Sequence, residues 1–247
     1  MLTSDPLILG VETATLGGSV CVARGDTVLA TATGDPKLSH SNTLLSDLRA
    51  CLSQAKVSLN DIELFAAASG PGSFTGLRIG LATIKGLAAT MGSPCVGIPT
   101  LHAVGHAAGD STATVALLPA GRGEVFVQLL AVSGAEVIEL DEPAHLSPER
   151  AIERYASRET IKWAGSGAHA NQALIRERAG PLGNRFNVSA AASYAVLMGW
   201  SLTPEQCNLA SDVAIIANLR SQRGTPGTAE ALTAVYVRPS DAELKWK

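Results

Sequence analysis

The chain of 247 residues is long enough for one large domain or two small ones. Apolar residues make up 46% of it and charged residues 17%, a balance that excludes a disordered protein. The formal charge of -3 provides no broad cationic field, so non-specific nucleic-acid binding by this chain alone is excluded and would need a more basic partner.

No segment of the sequence marks the chain for export or for a membrane. Its first residues form neither a basic nor an apolar targeting region, and the longest weakly apolar stretch, 189–202, is shorter than the roughly 20 residues that cross a bilayer. The cysteines are far apart and form no C-x-x-C motif or Cys/His cluster, which argues against a zinc site or a redox pair. We expect a soluble, cytoplasmic protein without a membrane partner.

The first third of the chain predicts three short strands, then alternating helices and strands. The predicted strands of the opening meander are 7–14, 19–24 and 27–33, separated by glycine turns. Ser39 can cap a helix whose apolar residues recur at intervals of three and four. The elements predicted after it are a strand at 64–69, a glycine loop at 70–74, a helix at about 75–90 and a strand at 94–98.

This order, β-β-β-α-β-α-β, is typical of a ribonuclease-H-like lobe, and the pattern then starts again. The second set of predicted elements comprises a helix at 100–108, strands at 114–118, 124–131 and 135–140, a helix at 148–156 and a strand at 160–164. Two tandem ribonuclease-H-like lobes indicate an α/β fold of the actin-like ATPase (ASKHA) architecture, with mixed sheets flanked by helices. We place the lobes at 1–104 and 105–247, with the last segment a candidate to pack back on the first. No clear period assigns elements within 180–208.

The glycine-rich stretch 70–89 carries most information about chemistry. A glycine loop that leads into a helix N-terminus can bind an anion, because the first backbone N–H groups lack partners and the helix dipole favours negative charge. A P-loop would need Gly-Lys-Ser/Thr at this point, but Gly76 is followed by Leu77 and Arg78. The stretch therefore does not predict a P-loop NTPase.

The same helix presents a strip of small residues. Gly76 and Gly80 lie four residues apart and Thr83 follows three later, so the three residues form a line along one face of the helix that has no bulky side chain. Each glycine costs about 1 kcal/mol relative to alanine in a helix interior, so an offsetting packing role is expected. Two possibilities stay open: the helix packs within its own lobe, or the strip receives a second polypeptide.

The glycine-rich stretch resembles the signature of the TsaB (YeaZ) family, the bacterial partner subunit in synthesis of threonylcarbamoyladenosine on tRNA. The resemblance covers nearly the whole chain in family order, through further segments at 8–15, His40, 97–101, 123–126, 165–167 and 234–238. The chain departs from the family pattern at Glu12, where Asp is usual, at Pro119 and Gly121 of a segment that is often Asp-Ala-Arg, and in the length of 180–208.

The resemblance implies an actin-like fold that has lost catalysis and needs no cofactor. The implied role is a scaffold and dimerisation subunit that binds and organises the catalytic subunit TsaD, which transfers threonylcarbamoyl to the adenosine next to the anticodon of tRNAs reading ANN codons. The small ATPase TsaE joins the complex, a homodimer forms in the absence of TsaD, and tRNA is contacted only indirectly. The implied partner-interface residues are His40, Leu44, Leu48, Phe74, Gly76, Leu77, Gly80 and Thr83.

Two enzyme classes remain as alternatives. A metal-dependent glycoprotease-like peptidase would use His102 and His106, which have metal-ligand spacing, but the sequence offers no third ligand, no H-E-x-x-H motif and no G-x-S-x-G motif. A free-standing actin-fold ATP-dependent kinase or ATPase would use the glycine turns at 16–18 and 121–123 as phosphate hairpins. Such a site should hold magnesium through Asp at both turns, and Glu12 and Pro119 disfavour it.

Overall fold

The computed structural model describes residues 4–180, 186–188, 199–224 and 227–237. Contacts between residues divide the chain into two units. The first unit runs to Ala103 and also takes up Cys207–Tyr236, whereas the second unit runs from Val104 to Gln206. The sequence-based division into lobes 1–104 and 105–247 stays a proposal about independently folding domains.

The first unit contains a five-stranded mixed sheet. Its strands are β1 (Leu7–Glu12), β2 (Ser19–Arg24), β3 (Thr27–Thr33), β4 (Leu64–Gly70) and β5 (Cys95–Pro99), in the spatial order β3-β2-β1-β4-β5. The first three strands pair antiparallel, and β4 and β5 extend the sheet in parallel. Every residue of β1 and β4 is buried, as expected for central strands covered on both faces.

Helix α1 (His40–Ala55) connects β3 to β4, helix α2 (Phe74–Met91) connects β4 to β5, and helix α3 (Thr100–Ala107) follows β5. Helix α2 begins after Ser73, whose hydroxyl accepts a hydrogen bond from the Gly76 N–H, and it ends at Gly92 in a left-handed conformation. Helix α1 begins and ends where its apolar period predicted, with Leu44, Leu48 and Cys51 buried against the lobe.

The second unit repeats this arrangement with a larger sheet. Its described strands are β6 (Ser111–Gly121), β7 (Glu124–Ser133), β8 (Glu136–Glu139), β9 (Ala144–Leu146), β10 (Ile161–Ala164), β11 (Phe186–Val188) and β12 (Trp200–Leu202). The spatial order is β11-β12-β10-β6-β7-β8, with β9 paired to β7. An antiparallel meander is again extended by parallel strands, now β10, β12 and β11.

Helices α4 (Pro148–Arg154), α5 (Ser166–Ala170) and α6 (Gln172–Ala179) belong to the second unit. Its core contains Trp163 and Trp200, both fully buried with ring centroids 5.1 Å apart. The indole N–H of Trp200 donates to the backbone oxygen of Arg158, which satisfies a buried polar group. The sequence predicted none of α5, α6, β9 and β12.

The last described helix, α7 (Ala210–Arg223), belongs to the first unit and packs on β1 and β2. Its approach to the sheet is close, because a Cβ added at Gly10 would lie 2.7 Å from the Ala210 oxygen and 3.2 Å from the Ala214 Cβ. The first turn is tied to β2 by a hydrogen bond from Ala210 N to the Ser19 hydroxyl. Much of the stretch left unassigned at 180–208 lies outside the described residues.

Among the helices that the structure describes, none is both long enough and apolar enough to span a bilayer.

Candidate functional site

Five of the predicted partner-interface residues are buried inside the first unit. The buried face of α1 contains Leu44 and Leu48. The buried face of α2 contains Gly76, Leu77 and Gly80. These residues shape the lobe from within. The structure therefore shows no exposed surface at these five residues in the isolated chain, and their part in a partner interface stays a prediction.

Thr13, which follows β1, fills the glycine strip of α2. Its hydroxyl donates a hydrogen bond of 2.8 Å to the Gly76 oxygen in a buried environment. A Cβ added at Gly76 would overlap the Thr13 carbonyl, and one added at Gly80 would overlap the Thr13 hydroxyl. Of the two possibilities that the sequence left open, packing within the lobe accounts for both glycines, because they admit the chain that leaves β1.

Glu12 is a fully buried carboxylate at the end of β1. The Thr15 N–H donates to one of its oxygens and the Thr15 hydroxyl to the other, each at 2.7 Å. Ala14 supplies a further backbone hydrogen bond. Burial raises the pKa of Glu12 above its ordinary value of 4.5, and the bonds from Thr15 and Ala14 and the charge of His40 offset part of that rise.

His40, the first residue of α1, is held between the loop that follows β1 and the start of α2. Because a carbonyl can only accept, its Nε2 carries the proton and donates to the Thr15 oxygen at 3.1 Å. A Cβ added at Gly18 would lie 2.9 Å from the imidazole, and one added at Gly76 would lie 3.2 Å from it. The half-buried imidazole therefore contacts both segments and leaves space for a side chain at neither glycine.

The glycine loop before α2 closes against the same segment. Ser73 N donates to the Ala14 oxygen at 2.8 Å, and Gly76 N donates to the Ser73 hydroxyl at 3.2 Å. A Cβ added at Gly72 would lie 2.6 Å from the Ala14 Cβ. The chain itself thus uses two of the N–H groups that the anion-site hypothesis assigned to a ligand.

The outer face of α2 differs from the buried strip. Arg78, Ala82 and Gly86 follow one another at four-residue steps and are exposed, and Thr83 beside them is half-buried. No atom of the described structure lies within 4 Å of a Cβ added at Gly86. On α1, the side chain of Leu45 is 59% exposed. An open face of small residues and an exposed leucine are therefore present on the two helices that the family resemblance implicated.

Phe74, at the start of α2, lies in a cluster with two other side chains. Its ring centroid is 5.3 Å from that of Tyr236, and the guanidinium of Arg78 lies 3.8 Å from it. Val235 N donates to the Ser69 oxygen at 2.7 Å, which anchors the chain that carries Tyr236. Phe74 is 36% exposed, so this predicted interface residue does lie at the surface.

The two histidines considered as metal ligands have other surroundings. His102 is buried, and its Nδ1 accepts a hydrogen bond of 3.2 Å from the Arg220 guanidinium, which places a cation where a metal would bind. His106 is half-buried on the same helix. In the part of the chain that the structure describes, no three His, Cys, Asp or Glu side chains form a group that could hold a metal ion. The pair therefore gives no support to a metallopeptidase.

Glu12 and the glycines were predicted to matter from the sequence, whereas Thr13 and Thr15 were not. The available signal was the position of these hydroxyl residues, which end an apolar strand and precede the Gly17-Gly18 turn. A polar residue at the buried end of a strand requires a hydrogen-bond partner nearby, and in this lobe those partners are Glu12 and α2.

Comparison with known proteins identifies similar chains. The family model described as TsaD: tRNA N6-adenosine threonylcarbamoyltransferase matches residues 35–216. The tRNA threonylcarbamoyladenosine biosynthesis protein TsaB of Escherichia coli K12 is 35% identical over 122 residues, which cover 48% of this chain and 52% of that protein. A tRNA N6-adenosine threonylcarbamoyltransferase of Thermosipho melanesiensis is 31% identical over 115 residues, which cover 40% of this chain and 35% of that protein. The chain thus spans about half the length, or less, of these curated relatives.

Among solved structures, a Pseudomonas aeruginosa protein described as similar to the peptidase YeaZ aligns with a TM-score of 0.74 and 25% identity. The alignment covers 94% of this chain and 100% of that one. This likeness confirms the α/β fold of actin-like type that the sequence predicted, with two mixed sheets flanked by helices.

Proposed function

This chain belongs to the TsaD family and, within it, to the TsaB (YeaZ) group, and on that premise we propose that it is a non-catalytic subunit that binds and organises a TsaD-like catalytic subunit. The complex transfers threonylcarbamoyl to the adenosine next to the anticodon of tRNAs reading ANN codons. A TsaE-like ATPase joins it, and the chain forms a homodimer when the catalytic subunit is absent. The chain works in the cytoplasm, contacts tRNA only indirectly and needs no cofactor.

One observation carries the non-catalytic part of this proposal: the carboxylate beside the first glycine turn is already used by the chain itself. An actin-fold kinase needs a carboxylate at its phosphate hairpin that is available to a metal ion. In this lobe the Glu12 carboxylate, which precedes the turn at 16–18, is buried and bonded to Thr15. These contacts favour a scaffold over a kinase or ATPase.

The binding face that we propose lies on the outer sides of α1 and α2. Small residues at four-residue spacing allow a second helix to approach closely, and Ala82 and Gly86 provide such a line on α2. Phe74 and Thr83 of the same helix add apolar and hydroxyl surface, and Leu45 is exposed on α1. The homodimer and the complex with the catalytic subunit use this same face in turn.

His40, Leu44, Leu48 and Leu77 support this face from within the lobe, because they pack the two helices against the sheet. Their part in the interface is thus indirect. Gly76 and Gly80 act in the same way, through the contact with Thr13.

The test is a pair of leucine substitutions at exposed small residues. Gly86→Leu adds a bulky side chain to the proposed face, and the space around Gly86 is open, so the lobe should fold unchanged. We expect its affinity for a purified TsaD-like subunit to fall at least about tenfold in calorimetry, because the helices can no longer approach closely. The matched control is Ala173→Leu, an exposed position on α6 of the second unit, which should bind as the unmodified chain does.

Undiminished binding by Gly86→Leu would show that the face is misplaced. An unmodified chain that fails to bind the catalytic subunit, or that binds and hydrolyses ATP with magnesium on its own, would contradict the proposed function itself.

A further inference from the structure

Glu12 is a buried ionisable group that the proposed scaffold function does not use directly. It is 1% exposed and lies at the end of the central strand of the first unit. A carboxylate in such a place costs free energy unless it is well hydrogen-bonded, so its presence at a buried strand end calls for a compensating role. Its hydrogen bonds show what that role is.

Those bonds go to one short segment, residues 13–18, which we call the β1–β2 loop. Both carboxylate oxygens accept from Thr15, from the N–H and from the hydroxyl. Because a carboxylate that accepts from a backbone N–H and a hydroxyl of the same residue fixes both the backbone and the side chain, Thr15 is held in one conformation. The loop therefore has a defined shape although Leu16 at its tip is 86% exposed.

The β1–β2 loop in turn contacts both helices of the proposed binding face. The Thr15 oxygen accepts from Nε2 of His40, the first residue of α1. The Thr13 hydroxyl donates to the Gly76 oxygen in the first turn of α2. The first turns of the two helices also meet directly, where the His40 imidazole lies beside Gly76, so the loop is bonded to both helices at the point where they meet.

We propose that Glu12 is a positioning residue whose carboxylate fixes the β1–β2 loop and thereby sets the placement of α1 relative to α2. This inference rests on the proposed function in one respect only, which is that the face carried by these helices binds the catalytic subunit. In this chain a carboxylate of the protein holds the loop in place, and the binding face is shaped before any partner arrives.

The test separates positioning from general stability. Glu12→Gln keeps the size of the side chain but presents an amide N–H₂ to a site built from donors, so one bond to Thr15 is lost. We expect its affinity for a TsaD-like subunit to fall about tenfold. Amide hydrogen exchange at Thr15 and at the first turn of α1 should become faster than in the unmodified chain, with or without the partner.

Two further variants complete the experiment. Ile8→Val removes a buried methylene from the other end of β1 and should weaken the lobe without changing partner affinity or the exchange of the loop. Thr15→Val removes only the hydroxyl bond to Glu12 and should lower the affinity for the partner by about threefold. If Glu12→Gln does not fold, the affinity and hydrogen exchange of Thr15→Val test the positioning role instead.

The inference is overturned if Glu12→Gln binds the partner and exchanges its amide hydrogens like the unmodified chain. It is also overturned if Ile8→Val weakens partner binding as much as Glu12→Gln does. If the unmodified chain does not bind the catalytic subunit, the proposed function fails. The hydrogen-exchange comparison, which needs no partner, then decides whether Glu12 positions the loop.

Discussion

At the scale of single residues, Thr13 determines what two positions of a neighbouring helix can be. Its carbonyl and hydroxyl lie where side chains at Gly76 and Gly80 would be, and its hydroxyl donates to the Gly76 oxygen. The two glycines are therefore required by a contact between Thr13 and Gly76, which lie 63 positions apart in the sequence. A sequence shows that such glycines need a packing partner, but it does not show which segment provides it.

Alanine substitutions at two glycines of α2 test this contact. Gly76→Ala must displace the Thr13 backbone, so we expect the free energy of unfolding to fall by about 1–3 kcal/mol. Gly86→Ala meets open space and improves helix propensity, so we expect a gain of up to about 1 kcal/mol. Urea denaturation of both variants measures the difference, and equal effects at the two positions would contradict the assignment of Thr13.

Glu12 predicts a pH dependence of stability with a definite sign. Burial raises the pKa of this carboxyl in the folded chain above the ordinary value of 4.5, against the smaller opposing effects of Thr15, Ala14 and His40. Between the ordinary and the raised value, the folded chain binds more protons than the unfolded chain at this site. The contribution of Glu12 to the free energy of unfolding is therefore full below about pH 4.5 and falls as pH rises through the raised pKa.

Glu12→Gln removes the titrating group and should flatten this part of the profile. The measurement is urea denaturation of both proteins from pH 4.5 upward, with the difference between them plotted against pH. A difference that stays constant with pH would show that Glu12 does not titrate with a raised pKa.

At the scale of elements, the sequence predicted those with a clear apolar period and missed short or alanine-rich ones. Helix α1 was predicted after Ser39 because its apolar residues recur at helical spacing, and in the structure the helix runs from His40 to Ala55. Helix α7 was not predicted, since its buried positions include Ala210, Ala214 and Ala217, which give no strong period. The close approach of α7 to Gly10 explains why those positions are small.

The candidate site follows the same division. The pattern of small and apolar residues predicted an interface on α1 and α2 through the strip that the structure buries, whereas the face that we propose is the exposed line of the same helices. Helix α2 has glycines on one face and small residues on the other, so the sequence alone gives two equally good candidates for the face that a second helix approaches. Only the burial of Gly80 and the open surroundings of Gly86 distinguish them.

The end of α3 provides a prediction at this scale. Lys162 of β10 donates from its Nζ to the backbone oxygens of Ala108, Gly109 and Asp110 just beyond the helix. A cation at a helix C-terminus satisfies carbonyls that lack partners within the helix. Lys162→Met should lower the free energy of unfolding by about 1–2 kcal/mol. Thermal unfolding measures it, and a Tm equal to that of the unmodified chain would contradict a capping role.

At the scale of the whole molecule, the two units repeat one arrangement of strands but differ at the ends of their first strands. In the first unit β1 ends at Glu12, whose carboxylate is bonded by the loop that follows. In the second unit β6 continues through Pro119 to Gly121 and has no carboxylate at that end. The carboxylate nearest that end is Glu124 of β7, which lies opposite Gly121 and pairs with His145 at 2.9 Å.

The most direct test of this account is sedimentation velocity of the purified chain, alone and mixed with a TsaD-like catalytic subunit. We predict that the chain alone sediments as a homodimer and that the mixture forms a complex containing one copy of each subunit. The Gly86→Leu variant should remain monomeric alone and form that complex only at concentrations at least about tenfold higher. Separate boundaries for the two unmodified proteins at micromolar concentration would contradict the claim that this chain is a binding subunit.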